Sequence, residues 1–64
     1  MEITMDQIVD EYLDGLFTFK EANYELFDLL ETGKIDVSEF DWAISIIARS
    51  SRYAEEMEEA KEKN

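Results

Sequence analysis

The groups in this sequence that could do chemistry are carboxylates. Seventeen Asp and Glu stand against six Lys and Arg, with no His and no Cys, giving a formal charge of −11. Thiolate, imidazole and zinc-thiolate chemistry therefore have no residues to work with, and neither a cofactor nor a metal is expected. Spacing gives the acids their meaning. Glu2, Asp6, Asp10 and Asp14 recur every four residues, and no base precedes Lys20. On a helix such a step rises about 6 Å, close to the spacing of successive phosphates on a nucleic-acid strand, so the row can present a comparable line of negative charge. Glu21, Glu25 and Asp28 form a second acidic group on the polar side of a following helix. Paired carboxylates do acid–base work only where a pocket drives their pKa values apart, and a solvated helix edge offers none, so no catalytic residue is expected.

A second pattern involves oxygen ligands. The stretch from Asp28 to Glu39 resembles the second half of an EF-hand calcium loop, with Gly33 at the sixth position, Ile35 at the eighth and Glu39 at the twelfth. That resemblance would imply a calcium site. It departs at the third and fifth positions, Leu30 and Thr32, where a seven-coordinate hard cation needs side-chain oxygens. Helix punctuation accounts for the same residues: a helix end, a Gly C-cap, an apolar staple at Ile35, an Asp N-cap and a Glu three residues on.

That punctuation runs through the whole chain. Thr4-Met5-Asp6-Gln7, Thr18-Phe19-Lys20-Glu21 and Asp36-Val37-Ser38-Glu39 each match a capping box. The residue before each cap pairs with one five further on as a hydrophobic staple: Ile3 with Ile8, Phe17 with Ala22, Ile35 with Phe40. Gly15 and Gly33 follow apolar-periodic stretches, where a left-handed residue closes a helix, with Leu16 and Ile35 as the accompanying apolar residues. These signals predict an all-α fold, a small three-helix bundle of antiparallel sequential helices at about 5–14, 19–32 and 37–60, the third being long.

The apolar faces follow from the helical period. Met5, Ile8, Val9, Tyr12, Leu13 and Leu16 share one side of helix 1; Phe19, Ala22, Leu26, Phe27, Leu29 and Leu30 share one side of helix 2. Helix 3 has two seams. Phe40, Ala43, Ile44, Ile47, Ser51 and Ala54 form one, and Trp42, Ile46, Arg49 and Tyr53, continuing to Met57, form another about 130° away. Trp, Tyr and Arg are the residue types that anchor interfaces, so the second seam is a candidate partner surface. Glu58 and Glu62 interrupt the first seam, which places a single domain at 1–57 and a projecting or frayed acidic tail, with a Glu59–Lys63 pair, at 58–64.

At this length a chain buries only roughly 60% of its unfolded surface, enough for one thin core and no deep substrate cavity. Direct binding to nucleic acid is opposed by repulsion between polyanions. The first residues carry acid where a signal peptide needs base, and no apolar run approaches a membrane span, so a soluble cytoplasmic protein without membrane contact is expected. The expected function is non-enzymatic: an acidic protein that binds a basic nucleic-acid-handling surface of a host protein complex and inhibits it. Size, acidity and lack of cofactor chemistry look like phage or mobile-element inhibitors of the anti-CRISPR kind, a likeness in character without a shared motif. Candidate binding residues are Asp6, Asp10, Asp14, Glu21, Glu25, Asp28, Trp42, Ile46, Arg49 and Tyr53. The alternative is a helical adaptor or homodimer joined through the second seam.

Overall fold

The computed structural model describes residues 3–62, so Glu2, the first member of the acidic row, and Lys63 of the expected Glu59–Lys63 pair lie outside the described residues. Four helices follow one another: α1 (Met5–Leu13), α2 (Phe19–Glu31), α3 (Val37–Ala48) and α4 (Ser51–Glu62). The first three start as their capping boxes dictate. Thr4 Oγ1 accepts from the Gln7 amide and Gln7 Oε1 from the Thr4 amide, both at 3.2 Å. Thr18 and Glu21 exchange the same bonds at 3.2 and 3.0 Å, and Asp36 and Glu39 at 2.8 and 3.1 Å. Each box supplies acceptors for amides that a helix start leaves without partners.

Helices α1 and α2 stop in the same way. Gly15 and Gly33 hold φ at +88° and +77°, a region costly for residues with a Cβ. The Leu16 amide then reaches the Glu11 carbonyl at 2.8 Å and the Gly15 amide reaches Tyr12 at 3.0 Å. Lys34 to Leu29 and Gly33 to Leu30 repeat the pair at 2.9 and 3.2 Å, so both ends are Schellman motifs.

Short connections fold α1, α2 and α3 against one another. The core they enclose is Ile8, Val9 and Tyr12 from α1, Ala22, Leu26 and Leu29 from α2, Ile35 from the second connection, and Ala43 and Ile47 from α3. The staple residues Ile3, Phe17 and Phe40 pack against its rim. Parts of the expected stripes stay outside. Leu13, Leu16 and Phe27 are exposed, Leu16 by 68%: Leu13 lies at the edge of the α1 stripe centred on Ile8, Val9 and Tyr12, Leu16 follows the end of that helix, and Phe27 lies at the edge of the α2 stripe with its ring edge-on to Phe40.

The expectation of one long helix over 37–60 is overturned. Ser50 divides it: its hydroxyl donates to the Ile47 carbonyl at 2.6 Å, closing α3, and accepts from the Tyr53 amide at 3.2 Å, opening α4. A serine that satisfies backbone groups on both sides competes with the helical ladder and favours a helix start. Beyond the break the seams trade places. Ser51 and Ala54, expected in the core, are exposed, whereas Arg52, Tyr53 and Glu56 turn inward.

Helix α4 therefore docks by polar and aromatic contacts on the corner between α1 and α2. Arg52 donates to the Phe17 carbonyl at 2.9 Å, and Glu56 accepts from the Phe19 amide at 3.1 Å, an amide that the start of α2 would otherwise leave open. The Tyr53 ring meets Phe19 edge-on with centroids 4.9 Å apart. Among the described residues no helix is long and apolar enough to cross a membrane.

Candidate functional site

The capping box at Thr4 sets the phase of α1 and with it the acidic row. Burying Ile8, Val9 and Tyr12 turns Asp6, Asp10 and Asp14 to solvent along one edge. Three carboxylates thus line up over about 12 Å of helix rise. The described residues pair none of them with a cation; the ion pair there is Arg52 with Glu56, at 3.7 Å. Asp6 sits in the first turn of α1, where the helix dipole favours it, but Asp14 is the C-cap, where the dipole opposes a negative charge. No basic residue lies in the last turn of α1, α2 or α3.

The second acidic group divides. Glu21 and Asp28 are exposed and Glu25 is half-buried, while Glu21 also spends one oxygen on the Thr18 cap. The Trp42, Ile46, Arg49, Tyr53 seam divides more sharply. Trp42 is 51% exposed on α3, Ile46 packs against the core, Arg49 is the exposed C-cap of α3, and Tyr53 lies across the break with its ring against Phe19. The structure does not gather these four into one anchor patch.

It does gather Trp42 with the acidic row. The starts of α1 and α3 lie together. Met5, Asp6, Ser38, Glu39 and Trp42 line an open groove of about 310 Å³ there. A wider hollow of about 450 Å³ adjoins it through shared Met5, Asp6 and Glu39, and extends over Ile3, Leu29 and Ile35 to Lys34. The groove combines an apolar floor, an exposed indole and two carboxylates.

A half-buried polar cluster around Tyr12 carried no sequence signal beyond an Arg and a Glu four residues apart. Tyr12 is fully buried, the Arg52 guanidinium stands 5.1 Å over its ring, and the Glu56 carboxylate lies beside its hydroxyl. Burial first, then Glu56, pushes the Tyr12 phenol up to about 12. Tyr12 Oη, Arg52 Nε and Glu56 Oε1 have no hydrogen-bond partner among the described residues. With the Tyr12 phenol neutral at physiological pH, the cluster acts as a clasp for α4.

The EF-hand-like stretch folds as two helix ends. Asp36 and Glu39 are committed to the α3 capping box, and Gly33 to the end of α2. Among the described residues no group of three or more His, Cys, Asp or Glu side chains could hold a metal ion. No family model, no curated protein and no solved structure matches the chain.

Proposed function

We infer that the chain is a non-enzymatic binding protein that lays its acidic surface on a basic, nucleic-acid-binding surface of a partner protein complex and blocks it as a partial nucleic-acid mimic. The observation that carries this reading is the row Asp6, Asp10 and Asp14, exposed on one edge of α1 and unpaired with any described cation. Like charges four residues apart oppose helix formation, and Asp14 opposes the dipole as well, so the row costs stability where alternating Lys would have given solubility without that cost. An extended negative edge steers association with a basic partner, and the resulting affinity falls with salt. Acting against host machinery in this way is the habit of small phage and mobile-element inhibitors. The homodimeric alternative keeps Trp42 and Ile46 on one helix but has Tyr53 committed to Phe19, and no observation favours it.

The test is capture with the tagged chain from lysate of its native host at low and high salt, identification of what is retained, and competition with duplex DNA or RNA. A nucleic-acid-binding protein released by molar salt and displaced by the polyanion is the expected result. Retention that ignores both salt and polyanion overturns the reading.

A further inference from the structure

We propose that the groove between the starts of α1 and α3 is the anchor point of the binding surface, and that its occupant is a single arginine side chain presented by the partner protein. The proposal rests on the reading above and names the contact at its centre. Trp42, the one tryptophan of the chain, leaves half its surface exposed at the edge of this groove. Asp6 approaches from α1 and Glu39 from α3, both exposed, Glu39 holding the Asp36 amide with Oε1 and leaving Oε2 for the groove, with half-buried Met5 in the floor. A cation set over an indole face and flanked by two carboxylates gains from the ring quadrupole and from both charges.

Among cations, arginine fits best. Its planar guanidinium stacks on the indole and presents a fork of donors to carboxylates, while its aliphatic stem can lie along Met5. A lysine would meet the same charges as a strongly hydrated point and would stack less well. Charge selects the occupant: a second copy of this chain carries −11, and close approach of two such molecules is opposed, whereas a basic surface is drawn in. The groove also adjoins the Asp6 end of the acidic row, so one arginine seated at Trp42 would bring neighbouring cations of the partner level with Asp10 and Asp14.

The experiment titrates the full chain with a short peptide of alternating Arg and Leu, and with the same peptide carrying citrulline, the neutral isostere, for Arg. Backbone amide shifts and Trp42 fluorescence are read together. The arginine peptide is expected to shift Met5, Asp6, Ser38, Glu39 and Trp42 and to change the Trp42 emission, with the citrulline peptide at least tenfold weaker. The pair Asp6→Asn with Glu39→Gln should weaken binding about tenfold, about 1.4 kcal/mol at 25 °C. Asp10→Asn with Asp14→Asn, which removes the same charge outside the groove, should weaken it less than about threefold. Gln at position 39 keeps the α3 capping box, and melting of each variant confirms that it folds.

Equal losses in the two charge pairs, shifts centred on the exposed Tyr24 and Phe27 face, equal binding of the citrulline peptide, or groove shifts that appear with protein concentration alone would each overturn the proposal. Equal, salt-sensitive losses would leave the broader reading standing without its anchor. Peptide binding in the groove together with a captured partner that binds no nucleic acid would overturn the broader reading and leave the arginine site.

Discussion

Helices α1 to α3 and helix α4 are held by different physics. The first three meet along apolar stripes around Ile8, Tyr12, Leu26 and Ile47, all fully buried, and each begins in a reciprocal capping box. Helix α4 brings the Tyr53 ring, one guanidinium and one carboxylate to a corner that the other helices have already formed. Apolar burial is non-directional, whereas the α4 contacts depend on Arg52 and Glu56 meeting two particular backbone groups, the Phe17 carbonyl and the Phe19 amide. The body should therefore unfold as a unit, and α4 should be able to leave it first.

The sharpest way to break this contrast is from the body side. Leu26→Ala removes a fully buried side chain from the centre of α2, at a cost of about 3 kcal/mol. A domain this small holds roughly 3 to 10 kcal/mol in all, so the variant should lose most of its cooperative thermal transition by circular dichroism. Next in size is the ionisation of Tyr12. Its phenol, raised to about 12 in the folded chain, keeps its proton between pH 10 and about 12 while the unfolded chain gives its own up. The stabilisation is fully present below pH 10 and is lost as pH rises through about 12, a total of about 2–3 kcal/mol. Denaturant midpoints across that range should fall in the native chain and fall less in Tyr12→Phe.

On the α4 side, Glu56→Ala leaves the Phe19 amide and Arg52 without their carboxylate, at a cost of about 1–2 kcal/mol. Hydrogen exchange should show α4 amides losing protection while Leu26 and its neighbours keep theirs. Equal loss of protection throughout would mean that α4 and the body form one cooperative unit.

The same division governs what could be read from the residues alone. Three capping boxes, two closing glycines and the 3.6-residue stripes place α1, α2 and the start of α3 within a residue or so, because each signal is local and its partners lie within one helical turn. The break at Ser50 escapes such a reading. Its third following residue is Tyr53 rather than Glu or Gln, so the reciprocal half of a box is missing, and the Trp42 seam runs across it at helical spacing. The inward face of α4, Arg52, Tyr53 and Glu56, resembles a solvated surface, and its partners on the Phe17 and Phe19 backbone are 35 and 37 residues away. Likewise the acidic row is legible as a periodicity, but the groove that joins Asp6 to Glu39 and Trp42 exists only once α1 and α3 start side by side.

The smallest expected effect bears on why the acids are there. Asp10→Asn with Asp14→Asn removes a like-charge step along α1 and a negative charge from its C-cap, where the dipole repels it. Neither carboxylate is paired with a described cation, and both are exposed, so nothing in the body loses a contact. The double variant should be more stable by a few tenths of a kcal/mol up to about 1, seen as a higher denaturant midpoint at unchanged slope, and the gain should shrink in salt. The groove at Trp42 should stay intact, while association with the captured partner slows at low salt. A gain in stability coupled to a loss in association would separate what the row does to the fold from what it does for binding. A loss of stability instead would make the row structural, with a partner for Asp10 or Asp14 in solution, and would remove the main support for the inhibitory reading.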